Sequence, residues 1–104
     1  MPYLELDGPS AQVKKTVTNT TVQLAIVGGS ALDERKVYTI QPKTGKIYLY
    51  FGDGVNTPNA ATLQADGILL YKNGLYSFEG SPRQPLFVLG VSVGNTDYIL
   101  IERG

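Results

Sequence analysis

The segment KVYTIQPKTGKIYLYFG, Lys36–Gly52, decides the fold class, because its residues alternate in character with a period of two on both sides of a single turn. Successive side chains of a strand point to opposite faces, so this period predicts extended backbone rather than helix. Pro42 restricts φ and Gly45 accepts a positive φ, a combination that is typical of a turn. We therefore predict a β-hairpin over Lys36–Gly52.

The second strand of this hairpin has two different faces. Ile47, Leu49 and Phe51 share one face, and Tyr48 and Tyr50 share the other. Aliphatic side chains gain more from burial than phenols, whose hydroxyl groups need a hydrogen-bond partner. We expect aliphatic residues to face a core and tyrosines to face outward.

Short alternating segments separated by Gly, Pro and Asn continue along the rest of the chain. Ser30–Lys36 has the spacing of a helix cap and can hold one helical turn, and Thr62–Gln64 is interpreted as extended. The Asn-Gly pair after Lys72 predicts a second hairpin over residues 68–78. Further strands are predicted at Gln12–Asn19, Thr21–Val27, Ile68–Tyr71, Leu75–Phe78, Pro85–Val93 and Asp97–Arg103.

These segments predict an all-β fold, namely an antiparallel β-sandwich, jelly-roll-like or a small barrel, of about seven to nine short strands. The 104 residues are enough for one domain, which we place at residues 12–104 after an N-terminal arm at residues 1–11. The N-terminus MPYLELDGPS lacks the features of a signal peptide, and no apolar run approaches the roughly 18 residues that span a bilayer. We expect a soluble protein made in the cytosol, with no membrane partner.

Composition excludes several classes of function. Nine basic and nine acidic residues cancel, so no basic patch is predicted and free nucleic acid is not an expected partner. The sequence contains no cysteine and no histidine, which removes thiolate chemistry, the usual general base near neutral pH and the commonest metal ligands. We expect neither a cofactor nor a metal, and we predict that the protein is not an enzyme.

Two groups of polar residues are candidates for a metal site or a catalytic site. Asp53 and Asn56 in FGDGVN offer oxygen ligands, but the spacing of a calcium loop is absent and a turn is favoured. Acidic residues could in principle supply an acid–base pair, but such a pair needs two carboxyl groups across a cleft, and solvated surface charge is favoured. The acid–base group would consist of Asp33, Glu34 and Arg35, and Glu79 or Glu102 would be the second carboxylate for glycoside hydrolysis.

The seven tyrosines point more directly to contact with other molecules. Tyr48, Tyr50 and Tyr71 lie on or beside predicted strands, where phenol rings can pack against a partner protein. Cross-strand pairing within the sheet is the favoured alternative, and stacking on a sugar ranks last. In the arm, Tyr3, Leu4 and Leu6 could add a strand to the exposed sheet edge of a neighbouring molecule.

The order of segments resembles the small all-β virion proteins of tailed bacteriophages. The matching elements are QVKKTVTN, Arg35–Gln41, Ile47–Tyr50 with Gly52, Ala65–Gly67, Leu86–Val88 and Tyr98–Glu102. The resemblance implies a capsid decoration or cement protein that binds and stabilises the head, located in the virion. It also implies capsid or tail proteins of the same virion as partners and a homo-oligomer, with a trimer as one form. A tail or baseplate protein and a carbohydrate-binding module remain the alternatives.

Overall fold

Eight strands and one short helix follow one another in the part of the chain that the structure, a computed structural model, describes: residues 10–25, 37–53, 55–79 and 85–103. Their bounds are β1 Ser10–Val17, β2 Gln23–Leu24, β3 Val37–Pro42, β4 Ile47–Phe51, α1 Ala60–Asp66, β5 Ile68–Leu70, β6 Tyr76–Glu79, β7 Leu86–Gly90 and β8 Thr96–Arg103. The predicted helical turn at Ser30–Lys36 and the predicted arm up to residue 9 lie outside the described residues.

The strands form two four-stranded sheets whose pairings are all antiparallel. The first sheet has the order β1-β8-β3-β6 and the second has the order β2-β7-β4-β5. This is the strand order of an eight-stranded jelly roll, in which the chain passes repeatedly from one sheet to the other. The prediction of an all-β antiparallel sandwich is confirmed.

Both predicted hairpins are wrong, because each links strands of different sheets. β3 is hydrogen-bonded to β8 on one side and to β6 on the other, so neither edge is left for β4. The segment after β3 instead crosses to the second layer, and packed sheets lie only about 10 Å apart. The Asn-Gly turn has the expected positive φ at Asn73, 64°, but it leads from β5 in the second sheet to β6 in the first.

The main core lies between the sheets and consists of side chains from both inner faces. Its fully buried members are Val17, Ala25, Tyr38, Ile40, Ile47, Leu49, Leu70, Leu86, Val88, Tyr98 and Leu100. The predicted inward position of the aliphatic residues of β4 is confirmed for Ile47 and Leu49, while Phe51 is partly buried at the margin of this core. Burial of this apolar surface is the main driving force for closing the two sheets.

Two tyrosines depart from the expectation that phenols face outward. Tyr38 and Tyr98 are both fully buried, because they share a strand face with Ile40 and Leu100 respectively. The Tyr98 hydroxyl donates a hydrogen bond to Oε1 of Gln23, which satisfies its polar group inside the core. The aromatic ring of Tyr38 lies in a cluster whose other rings are Phe51 and Phe78, with centroid separations of 5.5–6.3 Å.

The segment Thr62–Gln64 is helical rather than extended. The Asn59 side chain accepts hydrogen bonds from the backbone N–H of Thr62 at 2.9 Å and from its hydroxyl at 3.0 Å, which caps α1. At the other end, the N–H of Gly67 donates to the carbonyl of Leu63. Leu63 is fully buried against the outer face of the second sheet, so tertiary packing stabilises a helix too short to form alone.

Strand bounds also differ from those predicted. β1 begins at Ser10, two residues before the predicted start, and β7 ends at Gly90 rather than at Val93. Gly94 has a φ of 94°, which makes the expected turn, and Val93 beside it is 92% exposed. At Gly52, a Cβ atom would come within 2.6 Å of the Phe87 ring, so only glycine allows the chain to pass this side chain at the end of β4.

Candidate interaction surface

The outer strands of the two sheets differ in how well they are protected against pairing with another chain. In the first sheet, β1 carries the exposed charge of Lys14 and β6 ends in the exposed charge of Glu79. Charged side chains on an edge strand disfavour pairing with a foreign strand. In the second sheet neither edge strand carries a charge, and β5, with the sequence Ile-Leu-Leu, is more apolar than β2, with the sequence Gln-Leu.

Three of the six exposed large hydrophobic residues that the structure describes lie in the segment formed by β5 and the turn after it. Ile68 is 46% exposed, Tyr71 is 55% exposed and Leu75 is 69% exposed. The ammonium group of Lys46 lies 5.4 Å from the centroid of the Tyr71 ring, and the Tyr71 N–H donates to the Tyr76 hydroxyl at 3.0 Å. These contacts orient the segment while leaving its apolar side chains accessible. We call residues 68–75 the β5 edge.

The three strand tyrosines that were predicted to contact a partner lie on two different surfaces. Tyr71 lies in the β5 edge and is exposed. Tyr48 and Tyr50 lie on the outer face of the second sheet, where they are half-buried against the cluster formed by Leu63 and its neighbours. Tyr3, Leu4 and Leu6 fall outside the described residues. Ile68 and Leu75 were not predicted as contact residues, although each begins a predicted strand on one side of the Asn-Gly turn.

Asp53 is fixed by the loop that follows β4. Its Oδ1 atom accepts hydrogen bonds from the N–H groups of Val55 and Asn56, both at 2.8 Å, and its Oδ2 atom accepts from the side-chain amide of Asn56 at 3.4 Å. The hydrogen bond from the Asn56 backbone is the largest cause that lowers the pKa of Asp53, followed by that from Val55. The loop therefore favours the ionised form of this carboxylate.

A cleft of about 270 Å³ opens beside this loop. Its walls combine one aromatic ring with small polar side chains: Tyr50, Asp53, Asn56, Thr57, Pro58, Asn59 and Thr62. Tyr50 is placed there by β4, Asp53 and Asn56 by the loop, and Asn59 and Thr62 by the start of α1. The sequence pattern points to Tyr50, Asp53 and Asn56. It does not predict α1, and it therefore does not place Asn59 beside them.

Glu102 is buried, so its prediction as a solvated surface charge is wrong, whereas Glu79 is exposed as expected. Glu102 follows Tyr98 and Leu100 on the inner face of β8 and lies opposite Tyr38 of β3. Burial lowers the pKa of Lys15 and the charge of Glu102 raises it, so the two groups interact. Lys15 also donates to the carbonyl of Leu24 at 3.3 Å, which links β1 to β2 across the sandwich.

No metal-binding cluster of three or more acidic, histidine or cysteine side chains occurs among the described residues. The candidate acid–base group, Asp33, Glu34 and Arg35, lies outside the described residues. In the same part of the chain, no helix has the length and apolar character needed to cross a membrane. The chemistry that the geometry offers is contact through an apolar edge and hydrogen bonding in the cleft.

Comparison with known proteins shows the fold alone. No protein-family model matches the chain, and no curated protein matches it in sequence. A solved structure from the endospore appendages of Bacillus, which are described as a family of disulfide-linked pili, is similar with a TM-score of 0.52. The alignment covers 94% of this chain and 86% of that one at 14% sequence identity.

Proposed function

We propose that this protein is a non-enzymatic structural subunit that assembles through the β5 edge onto repeated sites of a larger particle. The observation that carries the proposal is the contrast between this edge and the strands that border the first sheet. The strand β5 is uncharged and, with the turn after it, exposes Ile68, Tyr71 and Leu75; the exposed Lys72 lies in that turn, whereas β1 and β6 carry exposed charges within the strands themselves. Such an edge favours addition of a strand from another chain, since main-chain hydrogen bonds then continue the sheet.

The net charge of zero fits an assembly of many copies, because identical neutral subunits do not repel one another over long distances. Repetition around a symmetric particle also turns a weak single contact into a strong one. The fold depends on no disulfide, since the sequence has no cysteine. These properties suit a protein that adds buried area to a particle and so resists its rupture.

A capsid decoration protein of a tailed phage is the particle component that we propose first, on the strength of the resemblance in segment order. A tail or baseplate component is the variant of this proposal with the same physical requirements. The partners would then be capsid or tail proteins and further copies of this chain, with the virion as the location.

A subunit of a filamentous appendage is the second candidate, and the solved structure from endospore appendages favours it. The likeness concerns architecture, and those pili are described as disulfide-linked. The 104 residues of this protein supply no thiol for such a link. Assembly into a filament would therefore depend on non-covalent contacts such as the β5 edge.

Association through the β5 edge is tested by replacing Ile68 with lysine. A charge placed on an edge strand opposes pairing with a second chain, so Ile68→Lys should shift the protein towards monomer in sedimentation velocity experiments over a range of concentrations. Val93→Lys is the matched control, because it adds the same charge at an exposed turn outside the edge. Equal association of both variants and the wild-type protein would contradict the proposal.

The predicted strand addition by the arm is tested by deleting residues 1–9. If the arm of one molecule pairs with the β5 edge of another, the deletion and Ile68→Lys should lower association to the same extent and should not add when combined. Additive losses would show that the two elements act at different contacts. No loss on deletion would remove the arm from the proposal and leave the edge.

The kind of particle is tested by immunogold electron microscopy of the cells that make the protein and of the particles they release. Label on phage heads supports the decoration protein, and label on tails supports its tail variant. Label along filaments supports the appendage subunit. Label dispersed in solution, with none on any particle, would overturn the proposal of a structural subunit.

A further inference from the structure

The cleft beside the loop after β4 differs from the β5 edge in chemistry, because its walls are mainly polar. Tyr50 and Pro58 supply two ring surfaces, and the remaining side chains supply hydroxyl, amide and carboxylate groups. No lysine or arginine lines it. A site of this composition does not attract an anion, since it contains the ionised carboxylate of Asp53 and no opposing cation among its lining residues.

The polar groups of the cleft are held in place before any ligand arrives. Asp53 accepts two backbone hydrogen bonds at 2.8 Å, and Asn59 is oriented by the bonds that cap α1. Each retains unused capacity: Oδ2 of Asp53 can accept, and the Nδ2 amide of Asn59 can donate two hydrogen bonds. Among the described residues, the Thr57 hydroxyl and the Asn56 Oδ1 atom also have no protein partner.

A sugar matches this pattern of donors and acceptors. Each ring hydroxyl both donates and accepts, so neighbouring hydroxyls can donate to a carboxylate such as Asp53 and accept from an amide such as Asn59. The C–H face of the same ring is apolar and can pack on an aromatic or proline ring. The volume of about 270 Å³ lies just below the range of roughly 300–1,000 Å³ for ligand sites, which corresponds to a single ring rather than an extended chain.

We propose that this cleft binds one ring of a neutral saccharide, with Tyr50 as the ring wall and Asp53, Asn56 and Asn59 as the hydrogen-bonding groups. The site lies at the opposite side of β4 from the main core, on the face covered by α1. It therefore does not depend on association through the β5 edge. A saccharide site repeated on an assembled particle would bind a polysaccharide surface with an avidity far above that of one cleft.

Titration followed by ¹⁵N–¹H correlation spectra of the full chain tests the site. The probes are the methyl glycosides of glucose, galactose, mannose and N-acetylglucosamine, with adenine as a planar ligand that carries no sugar ring. At least one glycoside should shift the amide signals of residues 50–62 in a saturable way, with a dissociation constant on the order of 1 mM for a ligand of this size. Shifts spread over the whole surface, or no saturable shift with any glycoside, would overturn the proposal.

Three variants separate the site from general effects on the fold. Asn56→Ala removes an exposed side chain whose bond to Asp53 is long, at 3.4 Å, and should weaken binding about tenfold. Tyr50→Phe keeps the ring and should leave the affinity within about twofold. Val93→Ala removes an exposed side chain outside both the cleft and the β5 edge and should leave the affinity for the glycoside unchanged. The proposal fails if Asn56→Ala binds as well as the wild-type protein, if Val93→Ala weakens binding equally, or if adenine binds as tightly as every glycoside.

Discussion

The two faces of the second sheet are buried in different ways. Its inner face packs against the whole of the first sheet, in a core of eleven buried residues. Its outer face is covered by the roughly two turns of α1, in a cluster of three buried residues, Leu63, Phe87 and Leu89. β7 is buried along its whole length because it lies in the middle of the sheet and contributes to both. Packing on the inner face therefore stabilises the jelly roll, whereas burial of the outer face depends on one short helix.

The largest loss of stability is expected when a side chain of the main core is truncated. Leu49→Ala should lower the free energy of unfolding by about 3–5 kcal/mol, since the rigid sheets on both sides leave a cavity that cannot collapse. Urea denaturation measures the loss. Leu75→Ala is the control, because Leu75 is exposed and should cost less than about 0.5 kcal/mol. A loss at Leu49 as small as that at Leu75 would contradict the assignment of the core.

A truncation under the helix should cost less. Leu63→Ala should lower the free energy of unfolding by about 2 kcal/mol, because α1 can move towards the sheet and fill part of the space. Hydrogen exchange should show faster exchange in residues 60–66 while the strands of the first sheet keep their protection. If exchange rises equally in both sheets, the helix belongs to the same cooperative unit as the main core. The outer face would then not be a separate unit of stability.

Alkaline titration probes the main core through Tyr98. Burial raises the pKa of Tyr98 far above its ordinary value near 10, so the folded state keeps the neutral phenol while the unfolded chain ionises. The unfolded state then holds fewer protons, and stability falls as the pH rises above 10. At pH 11 the loss attributable to Tyr98 should be about 1.4 kcal/mol.

Tyr98→Phe is the comparison that isolates this effect. The lowered pKa of Lys15 acts in the opposite direction, since stability due to that group rises as the pH approaches its ordinary value near 10.5, but it is common to both proteins. The variant should be less stable at neutral pH, because it loses the hydrogen bond to Gln23, and should approach the wild-type protein above pH 10. Parallel stability curves for the two proteins would contradict the burial of the Tyr98 hydroxyl.

The smallest effect is expected at the helix cap. Asn59→Ala removes the acceptor for the Thr62 N–H and should lower the free energy of unfolding by about 1 kcal/mol. Gln64→Ala, at an exposed position of the same helix, is the control and should have little effect. An unchanged stability for Asn59→Ala would show that packing of Leu63 holds α1 without the cap.

The sequence by itself determined the strands and which of their side chains point the same way. A period of two residues in Lys36–Gly52 placed Ile47 and Leu49 on one face and Tyr48 and Tyr50 on the other, and the structure keeps that division. The succession of short strands without a helical crossover between them likewise predicted an antiparallel sandwich or small barrel. This information is local, because side-chain direction along a strand follows from backbone geometry alone.

Only the tertiary structure decided which strands are neighbours and which polar groups lie inside. A turn of a few residues can close a hairpin or cross between two sheets about 10 Å apart, and the choice depends on β8, which is distant in sequence and pairs with β3. In the same way, burial of Tyr98 depends on Gln23, burial of Glu102 accompanies the nearby charge of Lys15, and α1 forms because Leu63 meets the second sheet. These outcomes are set by contacts between segments far apart in the chain, which no local pattern encodes.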